Sequence, residues 1–108
     1  MIDLINLDIS KCKEITEELE HSNVNNRIGF SCAEKSTILN YLKKRGEELA
    51  VLTCSAMDYI SNQPLNGTSL KSFTDGKYLW SNEEIYHFEK YDLKLNDDFI
   101  QYVLNKTA

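Results

Sequence analysis

One proline and four glycines in 108 residues leave no material for a flexible linker, a low-complexity tract or a proline-rich recognition segment. Three cysteines, Cys12, Cys32 and Cys54, are an odd number at wide spacing, with no C-x-x-C pair and no histidine at metal-ligand spacing. That arithmetic argues against a disulfide framework and a zinc site, and for three buried or half-buried free thiols in a reducing compartment. Only two histidines occur, His21 and His87, far apart and without a partner pattern. No stretch approaches the roughly 20 consecutive apolar residues that cross a bilayer, and the opening MIDLINLDISKCKE lacks a basic region followed by an apolar one. Neither a membrane span nor a secretory leader is expected, which points to a cytoplasmic protein. No glycine-rich phosphate loop, metal-ligand cluster or nucleophile–base motif occurs, so no catalytic residue, metal or cofactor is expected. What remains is 42% apolar and 27% charged sequence, enough for one domain over residues 1–108 around a modest core.

The formal net charge is -5, and it is concentrated. Residues 1–26 carry six acids against two lysines, and residues 75–98 carry seven acids against three lysines. Acidic faces repel phosphate backbones, which disfavours direct nucleic-acid binding, while they raise the encounter rate with a basic protein. A solvated acidic helix face would account for the same charge.

Ile5, Ile9, Cys12, Ile15 and Leu19 recur at helical spacing and predict an amphipathic helix over residues 10–20, capped by Asp8 or Ser10. Ser31 followed by Glu34 has the form of a capping box opening a second helix, which ends in Lys43-Lys44-Arg45 with Gly46 as a left-handed stop. Leu49, Ala50, Val51, Leu52, Thr53 and Cys54 then read as a central strand buried on both faces, although good helix formers leave helix open there. Met57, Tyr59 and Ile60 suggest a further strand, closed by a loop over residues 61–67 that holds Pro64 and Asn66-Gly67.

The most patterned stretch is DGKYLWSNEEIYHFEKYDLKLNDDFIQY, residues 75–102. Asp75-Gly76 is a hairpin-turn signal that should pair residues 69–73 with residues 77–80. Ser81 and Glu84 form a capping box, and a helix over residues 82–91 follows. Ile85, Phe88 and Tyr91 make its core stripe, and Glu83, His87 and Lys90 fall toward the opposite face. Asn96 is an N-cap candidate for a last helix whose first turn carries Asp97 and Asp98 and whose stripe is Phe99, Tyr102 and Val103. Trp80 is expected in the core, with Tyr78 free to face outward. The order predicts an α+β fold with a small, mainly antiparallel sheet of three to four strands and about four helices.

The ordered set Asp58 and Ile60, Thr74-Asp75-Gly76, Tyr78 and Trp80, Tyr86, Glu89-Lys90-Tyr91, Leu95 and Phe99 resembles small bacterial immunity proteins encoded beside contact-dependent growth inhibition and other polymorphic toxins. The resemblance covers residues 41–102. It departs at Tyr78 and His87, where the family often has Trp and Tyr, and at Asn96, where Pro is usual. It implies an intracellular protein that binds and blocks one cognate toxin C-terminal domain, often a basic nuclease. The candidate contacts are the acids Glu83, Glu84, Asp97 and Asp98, with Tyr86, His87 and Asp58 beside them. An acidic adaptor for another cytosolic protein would use the same surface. An enzyme would need Asp75 or Glu84 as a base near His87, on groups that do not converge.

Overall fold

Gly76, at φ 98°, sits in the turn that reverses the chain after Thr74. Asp75 Oδ1 accepts from the backbone N–H groups of Lys77 and Tyr78, and the Thr74 hydroxyl accepts from Gly76 N while donating to the Tyr78 carbonyl. In the computed structural model, which describes residues 5–107, this turn joins two strands of a four-stranded mixed sheet. The elements are β1 Lys13–Glu14, α1 Lys35–Lys44, β2 Glu47–Asp58, β3 Gln63–Thr74, β4 Tyr78–Ser81, α2 Asn82–Tyr91 and α3 Asp97–Thr107, with single 3-10 turns at Ile9–Lys11 and Val24–Asn26. The sheet order is β1-β4-β3-β2; β1 runs parallel to β4 and the other pairs are antiparallel. The fold is α+β, with three α-helices where the periodicity predicts about four.

Ser81 ends β4 and caps α2 in one residue: its side chain accepts from Glu84 N, and the Glu84 carboxylate accepts from Ser81 N. Asp92, left-handed at φ 55°, closes the helix. Asn82 extends the sheet past the end of β4, accepting from Lys71 N and donating to the Ser69 carbonyl along the β3 edge.

Tyr78 and Trp80 are both 2% exposed. Residues two apart on a strand share a face, so Tyr78 cannot point outward while Trp80 points in. Both rings pack on Phe99, and Trp80 also meets Tyr41. Trp80 Nε1 donates to the Leu42 carbonyl at 3.2 Å. Gly46 belongs to the same contact. Its φ is not left-handed, contrary to the expected helix stop; a Cβ there would stand 2.6 Å from a Trp80 ring carbon. Arg45 instead caps α1 by donating to the Tyr41 carbonyl. Nor does Ser31 open that helix: Glu34 is the N-cap residue, without a side-chain bond.

Residues 10–20 are not helical beyond the 3-10 turn. β4 and Asn96 remove the alternative: Lys13 pairs with Tyr78 and its N–H donates to the Lys77 carbonyl, while Asn96 donates from its backbone to the Ile15 carbonyl and from its side chain to the Glu14 carbonyl. Carbonyls that would accept helical N–H groups are already occupied. Ile15 and Leu19 still reach the core, from irregular backbone, and Ile5 and Ile9 stay exposed.

The run at residues 49–54 is strand, but an edge strand, and Val51 and Leu52 are about half exposed. β2 continues through Met57 to Asp58, and residues 63–67 belong to β3 instead of a loop, with Pro64 opposite Met57. The turn between them is shorter and is closed by Asn62 at φ 60°.

Candidate partner-binding groove

Four of the seven residues expected to contact a partner turn inward and tie the far end of β2 to α2. Glu83 Oε2 accepts from Met57 N at 2.8 Å, and the Glu83 carboxylate also accepts from the Tyr59 hydroxyl. His87 Nδ1 bonds the Glu83 carbonyl at 2.7 Å, and its Nε2 accepts from Tyr59 N at 3.0 Å. These partners assign the neutral ring its proton on Nδ1. Asp58 Oδ1 accepts from the N–H groups of Ile60 and Ser61, and Oδ2 from the hydroxyls of Tyr86 and Tyr91 at 2.7 and 2.6 Å.

Burial disfavours the Asp58 carboxylate, but hydrogen bonds from Tyr91, Ser61, Tyr86 and Ile60 outweigh it and hold the group well below the usual carboxylate range. The bond to Asp58, and then burial, push Tyr91 up to about 12; burial, and then Glu83, push Tyr59 up to about 12. Asp58, Glu83 and His87 are 4%, 7% and 0% exposed. They are the internal clasp of the hairpin, not an exposed contact face. The expected division of α2 fails for this reason: the helix is sandwiched, with Phe88 facing the core and Glu83 and His87 facing the hairpin, while Lys90 is exposed.

Glu84 points elsewhere. With Glu83 it borders a groove of about 610 Å³ between the N-terminal segment and the sheet. Leu79 and Ser81, the alternate residues of β4, line it with Leu70 and Ser72 of β3, Leu49 and Ala50 of β2, and Leu19. Its other acids are Glu14 and Glu18, both exposed, and no Lys, Arg or His lines it. Burial raises the Glu84 carboxyl to about 8, and the Glu14 carboxylate adds to this; hydrogen bonds from Ser81 and the charge of Arg27 pull the other way. At neutral pH the groove thus holds one largely protonated carboxyl beside exposed carboxylates, over an apolar floor.

Asp97 and Asp98 are exposed on the first turn of α3, as expected, but they do not border this groove. Asp97 lines a smaller recess with Phe30, Cys32 and Ile100, and Asp98 accepts from the Tyr78 hydroxyl at 3.4 Å. The groove residues that the motifs miss are Glu14 and Glu18. The clustering of acids in residues 1–26 marks them, but a helical reading of that segment gives no reason to place them against β4.

Among the described residues, no group of three or more His, Cys, Asp or Glu side chains is arranged to hold a metal ion. Their cysteines are free; Cys12 and Cys32 are half-buried, whereas Cys54 is exposed, contrary to the expectation for all three. No described helix is long and apolar enough to cross a membrane. No protein-family model, curated protein or solved structure matches the chain.

Proposed function

We propose that this chain is an immunity protein of the cytoplasm that binds and neutralises a cognate toxin C-terminal domain, a basic nuclease of a contact-dependent inhibition system, without enzymatic activity of its own. The observation that carries the reading is the groove between β4 and the N-terminal segment: the carboxyl groups of Glu14, Glu18 and Glu84 border it beside the clasp residue Glu83, no basic group does, and its floor is apolar. A Lys or Arg side chain suits such a site, since its methylene stem covers apolar surface while its charged end meets carboxylates. A nuclease must present such cations to attract a polyanion, and an inhibitor can occupy them without offering a scissile bond. Exposed Glu14 and Glu18 would accelerate capture, and the groove would supply the desolvated contact.

The test is binding to the toxin domain encoded next to this chain. An equimolar complex and rescue of growth on co-expression are expected. Reversing Glu14 and Glu18 together to Lys should slow association about tenfold and flatten its salt dependence, because rim charges act mainly on the on-rate. The pair Asp97→Lys/Asp98→Lys, outside the groove, should change it far less. No complex with the adjacent domain, or equal effects of the two pairs, would refute the reading. Capture of some other basic cytosolic protein instead would identify an adaptor.

A further inference from the structure

Within the groove the hydrogen-bond acceptors sit on a cross-strand pair and a helix cap. Ser72 of β3 and Ser81 of β4 are direct partners in the ladder, so their side chains share a face with Cβ atoms about 5 Å apart, and both line the groove. Ser81 Oγ accepts from Glu84 N at 3.3 Å and keeps a second lone pair, while the Ser72 hydroxyl bonds no other described residue. Glu84 stands beside them on the first turn of α2. Its Oε1 is committed to the Ser81 N–H at 2.9 Å, which leaves Oε2 for a guest. Glu83 has no oxygen to spare, since Oε2 accepts from Met57 N at 2.8 Å and the Tyr59 hydroxyl lies against both oxygens.

We propose that the groove selects the ammonium of a lysine on the toxin domain over a guanidinium, with Glu84 Oε2, Ser81 Oγ and Ser72 Oγ as its three acceptors; this rests on the toxin-binding reading above. An ammonium carries three donors that diverge from one nitrogen, and out of water each needs an acceptor. Two hydroxyls on paired strands and one carboxyl oxygen supply that number. A guanidinium is planar, carries five donors and pairs best side-on with both oxygens of one carboxylate. Glu84 has one oxygen to give and Glu83 none, so most of its donors would lose water without replacement. Glu14 and Glu18 could take such a fork, but they are exposed, and ion pairs in water discriminate weakly. The four-carbon lysine stem covers Leu70 and Leu79, which share the faces of Ser72 and Ser81 on their strands.

Exchanging the cationic head while keeping its charge tests this. O-methylisourea converts the lysines of the toxin domain encoded next to this chain to homoarginine, and calorimetry compares the two forms of the toxin. The homoarginine form should bind about tenfold or more weakly. Ser72→Ala, at a half-buried position, should weaken binding of the native toxin by about tenfold and leave that of the homoarginine form unchanged, because the two changes remove the same contact. Circular dichroism verifies that each protein stays folded; where the modified toxin does not, single Lys→Arg substitutions in it decide, and one of them should reproduce the loss. Equal affinity for the two toxin forms would overturn the lysine assignment and leave the toxin reading standing. So would a loss on modification that Ser72→Ala does not share. No complex with the native toxin would overturn both.

Discussion

Replacing Glu84 by Gln keeps the geometry of the α2 cap, because the side-chain oxygen can still accept from Ser81 N, and removes the groove carboxyl that burial raises to about 8. In the folded chain this group stays protonated up to about pH 8, while in the unfolded chain it ionises near its ordinary 4.5. Its contribution to stability is therefore fully present below 4.5 and is lost as pH rises toward 8. Each pH unit in that window costs about 1.4 kcal/mol, so the loss is on the order of 5 kcal/mol, a large part of the stability of a small domain. Guanidinium unfolding at constant slope from pH 5 to pH 9 measures it. The wild-type midpoint should fall relative to Glu84→Gln across the window, with the variant the more stable at pH 8.5. Taking the difference between the two proteins removes the contribution of every other titrating group. Parallel curves would refute the assignment of Glu84 as a carboxyl kept neutral by burial. Function follows from the same group: a Lys or Arg entering the groove would expel the Glu84 proton, so binding of a basic partner should release a proton near neutral pH and should lose that release in Glu84→Gln.

The other two predictions concern structural contacts. Asp58→Asn offers one oxygen where the carboxylate offers two, leaving part of its four-donor set facing an amide, and should destabilise the fold at pH 7 by about 3 kcal/mol. The wild-type carboxylate contributes above its unfolded value of 3.8 and loses that contribution as pH falls toward its depressed folded value, so the difference in unfolding midpoint should narrow below about pH 4; a constant gap down to pH 2 would contradict it. Gly46→Ala drives a methyl group into the Trp80 ring, which its bond to the Leu42 carbonyl holds in place, and should cost about 2 kcal/mol, or roughly 10 °C in Tm, with a shift in the emission of the only tryptophan. Unchanged Tm and emission would mean that the ring moves freely.

The sequence by itself determined the features in which near neighbours decide. The Asp75-Gly76 turn, the Ser81–Glu84 box, the limits of α2, the acidic first turn of α3 and its stripe of Phe99 and Val103 all follow from interactions within four residues along the chain. The α+β class follows from the order of those elements. Tertiary structure decided the rest, because the deciding partner lies far along the chain. Asn96, about 80 residues on, takes the Glu14 and Ile15 carbonyls that a helix over residues 10–20 would need. Position in the sheet made the apolar run of β2 an exposed edge, since a strand's own residues do not say how many neighbours it has. Burial of Glu83, His87 and Asp58 rested on hairpin and helix meeting 26 to 33 residues apart, where polar side chains can be satisfied internally as completely as water would satisfy them. The groove combines Glu14 and Glu18 with Glu84, three acids that charge counting finds separately and that only the parallel pairing of β1 with β4 brings to one place.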